Sequence, residues 1–165
     1  MSENMKKKLV IFAAGTGGHV YPGLSIANQL IAENIDVTWI GTKKGIEKKL
    51  VKKEKIHINY IDFSGVRGKG LFIIIKLPLK LIRATYQAYK ILKKNKPNAV
   101  LSMGGYVSIP CVIASKILGL PIIIHEQNII FGLANKISNF FANSVICGFP
   151  MNLDSNKYKF LGNPT

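Results

Sequence analysis

The stretch Leu9–His19, L-V-I-F-A-A-G-T-G-G-H, constrains this chain more than any other. An unbroken apolar run enters a turn holding Gly15, Gly17 and Gly18, and Tyr21, Pro22 and a helical pattern follow. A run this short and this apolar reads as a strand buried on both faces, as in a parallel sheet covered by helices. Glycines leave backbone N–H groups uncovered, and the next helix points its positive end at the same spot. The stretch therefore predicts a strand–turn–helix unit whose turn cradles an anion or a sugar phosphate. An altered version recurs at Gly104-Gly105-Tyr106.

The same alternation continues along the chain. Strands are expected at Leu9–Ala13, Val37–Gly41, His57–Phe63, Ala99–Ser102, Pro121–His125 and Ser144–Cys147, with a short one at Lys159–Leu161. Helical patterns fall at Gly23–Glu33, Gly45–Lys53, Leu71–Asn95 (interrupted or started by Pro78), Val107–Leu118 and Phe131–Phe141. Ser64–Gly70, with three glycines, reads as a loop. The class is α/β, a Rossmann-like doubly wound parallel sheet, in which ligands lie beyond the carboxyl ends of the strands. The turns at 15–18, 103–106 and 125–128 each follow a strand, so all three should line one rim. At 165 residues the chain makes one domain. That domain is expected over residues 1–161, with Gly162-Asn163-Pro164-Thr165 as the start of an interdomain linker.

The formal net charge of +15 is lopsided: residues 43–96 carry 16 Lys/Arg against 3 Asp/Glu. Such a patch suits an anionic partner, whether membrane surface, nucleic acid or phosphorylated substrate. An AT-rich genome, which favours lysine, is the competing explanation for the total. Lys6-Lys7-Lys8 before Leu9–Ala14 imitates a signal peptide, but the apolar run is too short and ends in glycines. No run reaches the roughly 18 apolar residues of a membrane-spanning helix. Cys111 and Cys147 stand far apart and read as reduced, buried thiols. His19, His57 and His125 are isolated from one another and from the cysteines, so nothing has metal-ligand spacing.

The first turn is neither G-x-G-x-x-G nor a P-loop. It lacks the lysine and hydroxyl that a P-loop sets on phosphate and magnesium, and Asp36 precedes the second strand instead of following it. Dehydrogenase and NTPase readings both weaken. His19, at the mouth of a helix, is a candidate proton acceptor or a capping group. His125-Glu126-Gln127-Asn128 follows a wholly apolar strand, and its amides and carboxylate suit sugar hydroxyls. Along the long helix, Leu71, Ile75, Leu79, Ile82 and Tyr86 form one apolar stripe flanked by Lys69, Lys76, Lys80 and Arg83. Two readings are open: the stripe packs on the sheet, or it enters a lipid surface between cationic flanks.

Together these motifs resemble the amino-terminal half of the MurG family, glycosyltransferases of peptidoglycan precursor synthesis. The carriers are Gly15–Leu24, Ser64–Gly70, Met103–Ser108, Gly119-Leu120-Pro121, His125–Asn128, Gly132–Lys136 and Gly162-Asn163-Pro164. The resemblance spans essentially the whole chain and implies half of a two-domain GT-B glycosyltransferase with its active site between the domains; the carboxyl-terminal donor domain lies outside this sequence. It implies inverting transfer of N-acetylglucosamine from UDP-GlcNAc to the muramyl C4 hydroxyl of undecaprenyl-pyrophosphoryl-MurNAc-pentapeptide (lipid I), giving lipid II. His19 then matches the base. Thr16, Gly17, Gly18 and Asn128 match positions reaching UDP-GlcNAc, and Gly15, Gly104, Gly105, Tyr106, Glu126 and Gln127 match the acceptor surface. Ile75, Leu79 and Ile82 with Lys76, Lys80 and Arg83 match a membrane patch on the cytoplasmic face of the plasma membrane.

Neither a cofactor nor a catalytic metal is implied, and partners would be lipid I, an anionic membrane surface and other cell-wall synthesis proteins, not nucleic acid. Ile109, Cys111 and Ile129-Ile130 stand where the family has small residues and should crowd the loops. The competing class is a non-catalytic Rossmann-like module that holds RNA or another anion on its basic face, against which the lack of an RNA motif counts.

Overall fold

The computed structural model describes residues 6–65, 75–151 and 156–164. Their strands are β1 (Lys8–Phe12), β2 (Asp36–Gly41), β3 (His57–Tyr60), β4 (Ala99–Ser102), β5 (Ile122–Glu126), β6 (Ser144–Cys147) and β7 (Tyr158–Phe160). The helices are α1 (Gly17–Ala32), α2 (Glu47–Lys53), α3 (Leu77–Asn95), α4 (Ser108–Ile117) and α5 (Leu133–Ser138). The strands form one sheet in the order β3-β2-β1-β4-β5-β6-β7, every pair parallel. The order reverses beside β1, between the β1–α1 and β4–α4 turns, and such a switch point opens a crevice for ligand. The doubly wound α/β class expected from the sequence is the observed one.

Side chains alternate across β1, so each face of the sheet meets its own helices. Val10 and Phe12 join Ala84, Ala88 and Leu92 of α3 and Cys111, Val112 and Ala114 of α4 in one core. Ile11 joins Val20, Leu24 and Ala27 of α1, Val51 of α2 and Trp39 in the other. Trp39 is fully buried, and its indole N–H donates to the Ala13 carbonyl at 2.9 Å. Gly23 lies so close to this ring that a Cβ there would stand 2.7 Å from it, which fixes how tightly α1 sits on the sheet.

Several boundaries differ from expectation for identifiable reasons. Helix α1 starts at Gly17, six residues before Gly23, with Pro22 inside it. The first four N–H groups of a helix need no intrahelical acceptor, so Gly17 and Gly18 are tolerated there; Pro22, the sixth residue, lies beyond them and removes the bond that an N–H would make to Gly18. The shift places Gly17, Gly18 and His19 in the first helical turn. Pro78 starts α3 instead of interrupting it, and Leu71 and Lys69 lie outside the described residues. Strand β3 ends at Tyr60, although Ile61 and Phe63 remain buried beyond it. Helix α5 stops at Ser138, after which bonds from Phe140 to Ile137 and Phe141 to Ser138 tighten the winding to three-residue turns. Strand β5 runs one residue further than expected, pairing Glu126 with Cys147 inside the sheet.

Candidate active site

The three turns meet on one ledge at the carboxyl ends of β1, β4 and β5. Gly104 and Gly105 have φ of +101° and +80°, a region that L side chains rarely adopt. A Cβ on Gly105 would stand 2.5 Å from the Ala14 carbonyl oxygen, and one on Gly104 would stand 3.0 Å from the His19 ring. The second turn is thus pressed onto the first because it has no side chains there. Gly15, with φ +99°, makes the same allowance for the Tyr106 ring, which would lie 3.1 Å from a Cβ at that position.

His19 is half-buried between the turns, and its Nδ1 lies 3.3 Å from Gln127 Oε1. Gln127 Nε2 donates to the Met103 carbonyl at 3.0 Å. One amide therefore ties the β5 loop to the end of β4 and to the first turn of α1. At the N-terminus of α1 no described group accepts from the N–H of Gly17 or Gly18, and Thr16 makes no side-chain cap. These amides and the positive end of the helix are available to an anion. Gly15 is the exception: its N–H donates to Glu47 Oε2 at 3.3 Å, so only part of the expected cradle is open.

Glu126 corrects the sequence reading. Expected on the ligand surface, it is fully buried. Its Oε1 accepts from Asn128 N (3.0 Å) and Asn128 Nδ2 (2.9 Å), and its Oε2 from Gly132 N (3.1 Å) and Asn135 Nδ2 (3.0 Å). Both oxygens are committed within the protein, so this carboxylate shapes the loop. Four donors offset the cost of burying the charge. Gln127 is likewise engaged within the protein, while Asn128 is exposed, with its backbone N–H and side-chain NH2 donating to Glu126.

Glu47 was not marked by the sequence reading, yet it holds the other end of the ledge. It is fully buried, and Oε1 accepts from Thr42 N (2.8 Å) and Thr42 Oγ1 (2.7 Å). Gly41 and Gly45 make room for it, since a Cβ on Gly45 would stand 1.9 Å from its carboxylate. The signal was the two glycines, Gly41 and Gly45, that shortly precede this acid in a basic segment. Because the Thr42 hydroxyl donates to Glu47, the Tyr106 hydroxyl, 3.4 Å away, is the donor to Thr42.

Beside Tyr106 opens a cavity of about 510 Å³ with Lys43, Lys44, Lys80, Arg83 and Phe63 in its walls. The excess charge found in the sequence thus borders the ledge. Arg83 meets Asp62 at 3.6 Å, both well exposed, a contact of little energetic weight. Beyond it, α3 buries Ala84, Ala88 and Leu92 and turns Leu79 (72% exposed), Ile82 (66%) and Tyr86 (60%) outward, and Ile75 (66%), just before the helix, is exposed as well. That settles one alternative: the stripe does not pack on the sheet. Lys76, Lys80 and Arg83 are exposed around it, and Ile117 of α4 adds to it. No helix among the described residues is long and apolar enough to cross a membrane.

His125, at the buried end of β5, holds the Gly162 carbonyl at 3.2 Å through Nε2, while its Nδ1 is buried without a partner. Burial pushes this imidazole below its usual value, opposed by the Gly162 carbonyl and the Glu126 charge. Asn163 Nδ2 donates to the Gln127 carbonyl at 3.2 Å, so residues 162–163 are tied to the site loop. Cys111 lies in the core, its thiol pushed up by burial, and Ile129 and Ile130 face outward, so these three do not crowd the turns as expected.

Comparison with known proteins agrees with this geometry. The model of the glycosyltransferase family 28 N-terminal domain matches residues 9–147. A protein of Pseudoalteromonas translucida is 46% identical over 97% of this chain and 45% of its own length, and one of Buchnera aphidicola is 49% identical over 96% and 45%. Both are named UDP-N-acetylglucosamine–N-acetylmuramyl-(pentapeptide) pyrophosphoryl-undecaprenol N-acetylglucosamine transferase. The chain therefore spans about half the length of the curated relatives it matches. The crystal structure of Acinetobacter baumannii MurG superposes with a TM-score of 0.83 at 35% identity, over 95% of this chain and 45% of that one. The calicheamicin glycosyltransferase CalG4 (TM-score 0.66, 14% identity, 96% of this chain and 52% of that one) shares the fold. With the family model covering most of its length and the MurG-type turns in place on one ledge, this chain belongs to glycosyltransferase family 28, in that family's N-terminal domain.

Proposed function

We propose that this chain is the acceptor- and membrane-binding half of an inverting transferase. The reaction moves N-acetylglucosamine from UDP-GlcNAc to the muramyl C4 hydroxyl of undecaprenyl-pyrophosphoryl-MurNAc-pentapeptide, for peptidoglycan synthesis. The observation that carries this reading is His19, held between two glycine turns with a polar partner on Nδ1 and no described partner on Nε2. Nε2 takes the proton of the C4 hydroxyl as its oxygen attacks the anomeric carbon from the face opposite the departing UDP. The open amides of Gly17 and Gly18 and the positive end of α1 stabilise diphosphate charge. Tyr106 and the basic cavity beside it receive the acceptor. The exposed Ile75–Leu79–Ile82 stripe, with its lysines and Arg83, settles into an anionic leaflet on the cytoplasmic face, where the polyprenyl tail of the acceptor lies.

The test is titration of the chain with a soluble, short-tailed lipid I analogue. Saturable binding is expected, weakened at least about tenfold by Tyr106→Ala, which removes an aromatic wall and a hydroxyl donor. No binding by a folded chain, or equal binding by the variant, overturns the reading.

A further inference from the structure

We infer that Gln127 is a positioning residue: its amide selects the Nδ1–H tautomer of His19 and so makes Nε2 the proton acceptor. The inference deepens the role proposed for His19 and rests on that reading for its catalytic meaning, though not for its chemistry.

The argument starts from a group with no choice. The Met103 carbonyl can only accept, so the nitrogen of the Gln127 amide must be the end that faces it, at 3.0 Å. The amide oxygen is then the end facing His19, 3.3 Å from Nδ1. An amide oxygen can also only accept, so Nδ1 must carry the hydrogen. In a neutral imidazole the other nitrogen is then bare, and no described residue occupies it. Among the described residues no other group is recorded on Nδ1. Gly104 and Gly105, which lie against the ring, present no side chains. Asn135 Nδ2, the polar atom closest to Gly104 after the ring, already donates to the His125 carbonyl and to Glu126.

The residue type matters as much as its place. A carboxylate at this position would orient the ring equally well, but it would also stabilise the imidazolium, which cannot accept a proton. A neutral amide orients without holding the proton on. The cost is a weaker hydrogen bond, and the anchor to Met103 compensates by fixing the amide.

Nitrogen-15 NMR of the histidine-labelled chain at about pH 8, where an ordinary imidazole is neutral, tests this directly. Long-range proton–nitrogen correlations distinguish the two tautomers. His19 is expected as Nδ1–H by at least about fivefold, the worth of one hydrogen bond. His125, whose Nε2 faces the Gly162 carbonyl, should show the opposite tautomer and so reports an intact fold. Gln127→Ala is expected to abolish the His19 preference while leaving His125 unchanged. Gln127→Glu is expected to restore Nδ1–H and to hold the charged ring to higher pH. A parent spectrum with His19 mainly Nε2–H overturns the inference even if neither variant folds, as does an unchanged His19 in a folded Gln127→Ala chain. Either result leaves acceptor binding to be judged separately by the lipid I titration.

Discussion

Replacing Glu126 with glutamine changes one atom and tests whether this carboxylate organises the β5 loop. Each of its oxygens accepts two hydrogen bonds, two from Asn128 and one each from Gly132 and Asn135. An amide offers one oxygen, so in either orientation two donors come to face an NH2 group. Stripping a buried donor of its acceptor costs about 1–3 kcal/mol. The two orientations are not equal. Asn128 is exposed and water can replace its lost partner, whereas Asn135 is buried. The glutamine oxygen should therefore stay with Gly132 and Asn135, and the loss should total about 2–4 kcal/mol, a large share of an ordinary domain's 5–15 kcal/mol. Glu47→Gln is the control. It can keep both Thr42 bonds and lose only the 3.3 Å contact from Gly15, for about 1 kcal/mol. Urea unfolding followed by the fluorescence of Trp39, the single tryptophan and fully buried, measures both at unchanged m. The reasoning is refuted if Glu126→Gln falls within about 0.5 kcal/mol of the parent, or if Glu47→Gln costs more than Glu126→Gln.

Three further outcomes are expected. Burial lowers the pKa of His125 in the folded chain, so the unfolded chain binds protons first as pH falls; stability should be constant above about pH 6.5 and decline below it until the folded-state value is passed. His125→Asn should flatten that decline in urea midpoints measured across pH. Gly105→Ala should cost at least about 2 kcal/mol, because its Cβ meets the Ala14 carbonyl, whereas Gly119→Ala, at φ +66° with open space around it, should cost about 1 kcal/mol; comparable losses would contradict the packing of the turns. Ile75→Ser with Leu79→Ser should weaken co-sedimentation with anionic vesicles about tenfold and leave the urea midpoint nearly unchanged, since both side chains are already exposed. Undiminished sedimentation would remove the stripe from the membrane proposal.

What the sequence revealed and what it hid follow from the range of the forces involved. Runs such as Val10–Phe12 and Ile122–Ile124 were legible because a strand covered on both faces is apolar throughout. The convergence of the three turns was legible because parallel strands deliver all their carboxyl ends to one rim. The role of Glu126 was not. A polar cluster after an apolar strand looks the same whether it faces ligand or loop, and the donors that claim this carboxylate come from residues two, six and nine positions later. Glu47 resembled any acid in a basic helix, because Gly15 meets it only once β1 and β2 are paired. The two faces of α3 were ambiguous by hydrophobicity alone. The face carrying Ala84, Ala88 and Leu92 goes inward, leaving Leu79 and Ile82 outside.

The placement of β1 has a consequence for biosynthesis. It precedes the other described strands in the chain, yet it pairs with β4 through partners such as Leu9 and Ala99, some ninety residues downstream. At roughly 5–20 residues per second, that flank stays unpaired on the ribosome for roughly 5–20 s. During this interval a nascent segment rich in valine, isoleucine and phenylalanine offers free backbone groups to any passing extended peptide. Nascent chains stalled before Ser102 should therefore aggregate, or recruit holdase chaperones, far more readily than chains stalled after it.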